Sequence, residues 1–118
     1  MLDFDSMQDL HWSAGEKTAA RAAFDAAFVR ECYAIKREAE SMLQRTPDAA
    51  EVWRVHDYLS EKRREVDRKY DYRYSVLISV FGRLLSEGWV TEDELAKLKP
   101  EKLELIRRNA SMWNDVDA

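Results

Sequence analysis

Only three Gly and two Pro punctuate this chain of 118 residues, and they lie far apart. Gly and Pro are the strongest local interrupters of regular structure, so a chain this poor in both is expected to run in long helices. Charged residues make up 36% of it and hydrophobic residues 46%. The charge content exceeds the usual quarter of a globular chain, which suits helices exposed along much of their length better than an α/β domain. Four Trp, five Tyr and four Phe are too many for a chain without a core, so disorder is excluded.

Caps and periodicity divide the chain. Residues 1–12 form a flexible lead-in. Ser13 and Glu16 then spell S-x-x-E, a capping box, with Trp12 just before it in the place of a hydrophobic staple. The first helix is expected to run to about Arg45. Phe24, Phe28, Cys32, Ile35, Ala39 and Met42 recur at steps of three and four, one helical stripe. Ala19, Ala20, Ala22, Ala23, Ala26 and Ala27 keep its first half slim enough for a close neighbour. Thr46 and Pro47 read as the cap and first position of a second helix ending near Lys69. So short a connection folds it back on the first as a long antiparallel helical hairpin.

Tyr70, Tyr72 and Tyr74 mark an elbow, after which the pattern becomes more apolar. Tyr74, Leu77, Ile78, Phe81, Leu84 and Leu85 keep helical spacing, and Gly88 closes that helix. Thr91 with Glu94 makes another capping box, and Pro100 opens a last helix carrying Leu103, Leu105 and Ile106. The residues 109–118 are polar apart from Met112 and Trp113 and read as a mobile tail. The expectation is one all-α domain, with a helical-hairpin stalk over 13–69 and a small helical head over 70–108.

Several functions are disfavoured. The net charge of −4 is spread among interleaved acids and bases, without the basic stripe that nucleic-acid binding needs. Lone Cys32 has no internal disulfide partner, which points to a reducing compartment. No run approaches the roughly 18 apolar residues of a membrane span. The first ten residues are acidic and lack the apolar core of a signal peptide. The cytoplasm is the expectation. His56 and Asp57 are adjacent, and neighbouring helical side chains diverge by about 100°, so no hydrogen-bonded dyad is expected from them. His11, Cys32 and His56 match no metal-ligand spacing. Cys32 reads as core and His11 as surface. No enzymatic activity, metal or cofactor is expected.

The second helix has two faces. At about 100° per residue, Val52, Val55, Leu59, Val66 and Tyr70 share one side, which would face the first helix. Trp53, Asp57, Ser60, Arg64 and Asp67 share another, with His56 and Arg63 between the two. A single neighbouring helix covers only one side. Trp53 is left either at the edge of its own hairpin or in an interface, where Trp and Arg concentrate binding energy. Asp57 and Arg63 point in different directions, and a two-fold antiparallel dimer would bring one against the other across chains. The alternating charges from Glu61 to Arg73 read as a solvated helix face.

The run Trp53 to Arg73 spells W-x-x-H-D-(F/Y)-L-S-x-K-R-x-E-(I/V)-D-x-K-Y-D-x-R, which resembles the fluorescence recovery protein family. Trp12-Ser13, Phe24, Phe28 with Arg30-Glu31, and Leu84 through Leu95 extend the likeness over nearly the whole chain to about Arg108. The resemblance implies an all-helical dimer with a hairpin stalk and a small head. It also implies a non-enzymatic regulator that binds the C-terminal domain of the orange carotenoid protein. Such a regulator speeds the return of that photoreceptor from red to orange and so ends phycobilisome quenching. It assigns Trp53, His56, Asp57 and Arg63 to dimerisation and partner contact, and with Val52 and Ser60 these make up the expected dimer interface. Partner contact falls to Trp53, Asp57 and Arg63, and in the head to Ser79, Phe81 and Leu105. Ser79 stands where family members carry an exposed Phe, and Leu105 where they carry Lys. Those departures leave a second reading, a dimeric adaptor of the same fold with a different protein client.

Overall fold

The computed structural model describes residues 10–117 and contains four helices and no strand among them. They are α1 Ala14–Gln44, α2 Glu51–Lys69, α3 Leu77–Glu87 and α4 Pro100–Asp117, with a 3-10 turn at Asp93–Leu95. The fold is all-α, with extents of 54 × 29 × 21 Å.

α1 begins at the expected capping box. Ser13 Oγ accepts from the Glu16 amide at 3.2 Å, and the Glu16 carboxylate accepts from the Ser13 amide at 3.0 Å. Two of the orphan donors of the first turn are thereby satisfied. α2 starts later than Thr46 and Pro47 led one to expect. Thr46 Oγ1 accepts from the Asp48 amide and Asp48 Oδ1 from the Ala50 amide, so two side-chain turns use up those donors before the helix opens at Glu51. α3 ends as anticipated at Gly88, whose φ of 82° lies in the left-handed region. The Gly88 amide reaches Leu85 O, and the Trp89 amide reaches Leu84 O at 2.9 Å, the double closure of a Schellman motif. The Thr91–Glu94 box also forms, though it caps a single 3-10 turn.

The core joins parts of the chain that the stalk-and-head reading kept apart. Trp12, Ala20, Ala23, Phe24 and Ala27 from the start of α1 share one buried cluster with Leu77, Ile78, Phe81, Leu84, Leu95, Leu98 and Ile106. The small residues of α1 do admit a close neighbour, and that neighbour is the segment of α3 to α4. Burying an apolar side chain of Leu or Phe size contributes about 2 kcal/mol, so this cluster dominates the fold. Trp12 lies against Tyr74, 5.6 Å between ring centres, with Lys102 Nζ 5.0 Å over its indole. The expectation of a loose lead-in therefore fails at Trp12. For residues 1–9 it lies outside the described residues.

α4 does not stop near Arg108. It continues to Asp117, Ala110 is buried, and Trp113 donates to Asn109 Oδ1 at 3.1 Å while Arg83 lies over its ring. Gly82 of α3 faces Asn109, and an added Cβ there would come within 2.6 Å of the Asn109 Cβ. Glycine is what allows the two helices to approach so closely. Among the described residues no helix is long and apolar enough to cross a membrane.

Candidate protein-binding surface

α2 packs on the second half of α1 through few apolar side chains. Val55 and Val66 are buried, whereas Val52 and Leu59, assigned by periodicity to the same stripe, stay largely exposed. Trp53 is 68% exposed. Its indole meets the His56 ring edge-on, 6.4 Å between ring centres, one turn along the helix. Ser60 is half-buried on the same helix.

The charges around Trp53 are satisfied locally and weakly. Arg63 Nε donates to Asp67 Oδ2 at 3.1 Å, one turn on, and both side chains are mostly in solvent. Asp57 Oδ1 lies 3.3 Å from His56 Nδ1. This contact corrects the expectation that neighbours on a helix cannot meet. The backbone directions diverge, but the side chains lean towards each other along the exposed surface. At that length and exposure it is a marginal pair. Asp57 and Arg63 are thus free to exchange these contacts for better ones with another chain.

Further along α2, between it and α1, runs a largely apolar groove. Phe28, Cys32, Ile35, Leu59 and Val66, together with the charged Lys62, Arg63 and Asp67, line a depression of about 340 Å³ between α1 and α2. A second depression of about 600 Å³, lined by Phe28, Val29, Cys32 and Tyr33 with Asp25 and Lys36, adjoins it on α1. The two share Phe28 and Cys32, so a nearly continuous apolar band crosses from α1 to α2. Contiguous exposed apolar surface of this kind marks interaction sites. Cys32 was read as core and is exposed. Desolvation pushes its thiol pKa up, as does the Glu31 carboxylate, while Arg63 opposes them. The thiolate that reactive cysteines need is disfavoured. Val29 and Tyr33 were missed in the sequence, although their four-residue spacing beside Phe28 and Cys32 was there to be seen.

The head positions fare differently. Phe81 has no exposed surface and belongs to the core, so it is withdrawn as a partner contact. Leu105 packs partly buried against the same core, and Ser79 is half-buried on α3. Lys69 was placed on a solvated charged face, yet its side chain is 1% exposed. It is held by Glu31 of α1 and Glu87 of α3. A charge run alone could not single it out, because its partners lie far away in sequence.

The profile of the family described as photoprotection regulator fluorescence recovery protein matches residues 12–110. The chain belongs to this family. It is 38% identical over 101 residues to the fluorescence recovery protein of Synechocystis sp., an alignment covering 86% of this chain and 93% of that one. The solved structure of the Fremyella diplosiphon fluorescence recovery protein superposes with a TM-score of 0.79 at 40% identity, covering 86% of this chain and 99% of the other. That of the Synechocystis protein gives 0.79 at 38% identity with the same coverage. The match leaves out the last turns of α4, Ser111 to Asp117. In this family member, then, Trp113 and its contact with Arg83 lie beyond the shared region.

Proposed function

We propose that this protein is a non-enzymatic, cytoplasmic photoprotection regulator that works as a homodimer. In this reading α1 and α2 form an antiparallel stalk carrying the dimer contacts, and the protein engages the C-terminal domain of the orange carotenoid protein. It accelerates return of that photoreceptor from the red to the orange form and ends phycobilisome quenching. The observation that carries the reading is the exposed Trp53 on a helix that also lines an apolar groove, in a chain of the fluorescence recovery protein family. A second copy laid antiparallel would cover Val52, Trp53 and Leu59 and set Asp57 of one chain near Arg63 of the other. The surface has the composition of an interface core, an indole and aliphatic side chains with an arginine at the margin. Mixing the protein with photoactivated carotenoid protein and following colour recovery in the dark tests the role. Recovery should accelerate in proportion to added protein, and an unchanged rate at excess sinks the assignment.

A second reading, an adaptor for another protein, is favoured by Ser79 and Leu105. Neither offers the exposed aromatic ring or cation that the family resemblance places there. Under it, colour recovery is unaffected while self-association persists, and a different client co-purifies from the source cells.

A further inference from the structure

The last residue of α2 is tied to two other helices. Lys69 Nζ lies 2.6 Å from Glu31 Oε2 on α1 and 2.7 Å from Glu87 Oε1 on α3. Within α2, Glu65 Oε1 stands 3.9 Å away. Tyr70 donates its hydroxyl to the other Glu31 oxygen at 2.8 Å. Trp89 donates its indole N–H to the same Glu87 oxygen that Lys69 uses, at 3.0 Å. Arg83 takes the second Glu87 oxygen at 3.0 Å and lies 4.9 Å from the ring centre of Trp113 on α4. A buried ammonium is tolerated only when its donors are matched, and removing one partner leaves an uncompensated charge. Here the matching acceptors come from α1 and α3, so the pairing exists only while all three helices are in register.

Little else holds this end of α2. Val55 and Val66 are its only buried apolar residues, whereas Phe81, Leu84, Leu95 and Ile106 are fully enclosed in the cluster of α1, α3 and α4. Tyr70 and Tyr72 pack edge-on against Phe24, which keeps the elbow on α1. Opening free energies differ within one fold according to buried apolar contact, and segments with few such contacts open first.

We propose that Lys69 is a clasp. Closed, it registers α2 on α1 and fastens it to α3. Open, it releases residues 60–69 as a unit while the α3 and α4 core stays folded. Glu87 is the solvent-reached side of the clasp, its side chain 28% exposed. A contact made at Glu87 or Trp89 competes with Lys69 for one carboxylate and is felt along α2, where Trp53 and Arg63 lie.

Hydrogen exchange on the full chain tests this, comparing the native protein with Lys69→Gln and Lys69→Arg. Lys69→Gln should speed exchange in residues 60–69 by about tenfold or more while changing residues 77–87 and 100–110 less than about twofold. Lys69→Arg, which keeps the charge, should restore most of the protection. Unchanged exchange in 60–69, or acceleration shared equally by α3 and α4, overturns the clasp. So does a difference that scales with protein concentration, since that would trace to self-association. Glu87→Gln leaves the Lys69–Glu31 pair and serves where Lys69→Gln does not fold. It should give the same pattern at smaller amplitude, and a flat profile again overturns the proposal.

Discussion

Glu16 should be worth about 3 kcal/mol at neutral pH, and most of that should vanish in mild acid. The carboxylate is enclosed where α1 starts against α4. One oxygen accepts from the Ser13 amide and the other from the Lys99 amide, each at 3.0 Å. Lys102 Nζ sits 3.1 Å from Glu16 and donates to the His11 carbonyl at 2.6 Å. Burial by itself pushes the acid's pKa up. The Ser13 and Lys99 hydrogen bonds and the Lys102 ammonium outweigh it, and the net result is a fall from 4.5 to about 2. At about 1.4 kcal/mol per tenfold change in proton affinity, that difference is about 3 kcal/mol of folding stability. The sign follows from the folded pKa being the lower one. The contribution is complete above the unfolded value of 4.5 and is lost as pH falls towards about 2. By about pH 3 roughly 2 kcal/mol should be gone. Glu16→Gln keeps the shape and one acceptor but not the charge, and its new NH2 group faces Lys102 or the Lys99 amide. Urea unfolding followed by Trp fluorescence over a pH series gives the stability gap between the two proteins. The gap should be about 3 kcal/mol near neutrality and narrow by about 2 kcal/mol on acidification to about pH 3. A gap that stays constant with pH refutes the electrostatic account and leaves only packing.

Trp53→Ala should change single-chain stability by less than about 0.5 kcal/mol, because the indole is mostly in solvent, yet weaken self-association by about 2 kcal/mol or roughly thirtyfold. Light scattering over a dilution series checks this, and self-association of the variant as tight as that of the native chain places the proposed dimer interface elsewhere. Gly82→Ala should cost about 1–3 kcal/mol through overlap with Asn109, and Asn109→Ala in the same chain should recover only part of it, because the Cβ that alanine keeps still lies 2.6 Å from the added methyl. Thermal melts of the native protein and the two variants decide whether α3 and α4 meet there. Tyr70→Phe removes the donor to buried Glu31 and should cost about 1–2 kcal/mol at neutral pH, measured by urea unfolding. A neutral result would mean that Lys69 alone satisfies that carboxylate.

Much of this architecture could be read from short-range patterns. Ser13 with Glu16, Gly88 and the spacing from Leu77 to Leu84 each concern partners within one or two helical turns, where local geometry decides the outcome. The Trp53 face was legible for a similar reason, since a helix of known pitch shows which residues share a side. Thr46 and Pro47 misled because a capping pattern resembles the pair of side-chain turns that Thr46 and Asp48 make instead. The helical end of α4 was missed because polar residues around Met112 and Trp113 look alike whether or not an Arg83 waits across the groove. Phe81 was expected as a partner contact, and only packing showed it enclosed.

Helix content, caps, elbow and the exposed aromatic surface therefore follow from the chain's local chemistry. The tertiary structure alone decides which charges are buried and with whom. Glu16 finds Lys102, and Lys69 finds Glu31 and Glu87, across separations that no periodicity encodes. The physical reason is that a charge's environment depends on what other elements bring to it. The same lysine at the end of a helix is a solvated surface group or a buried anchor according to whether two distant carboxylates arrive beside it.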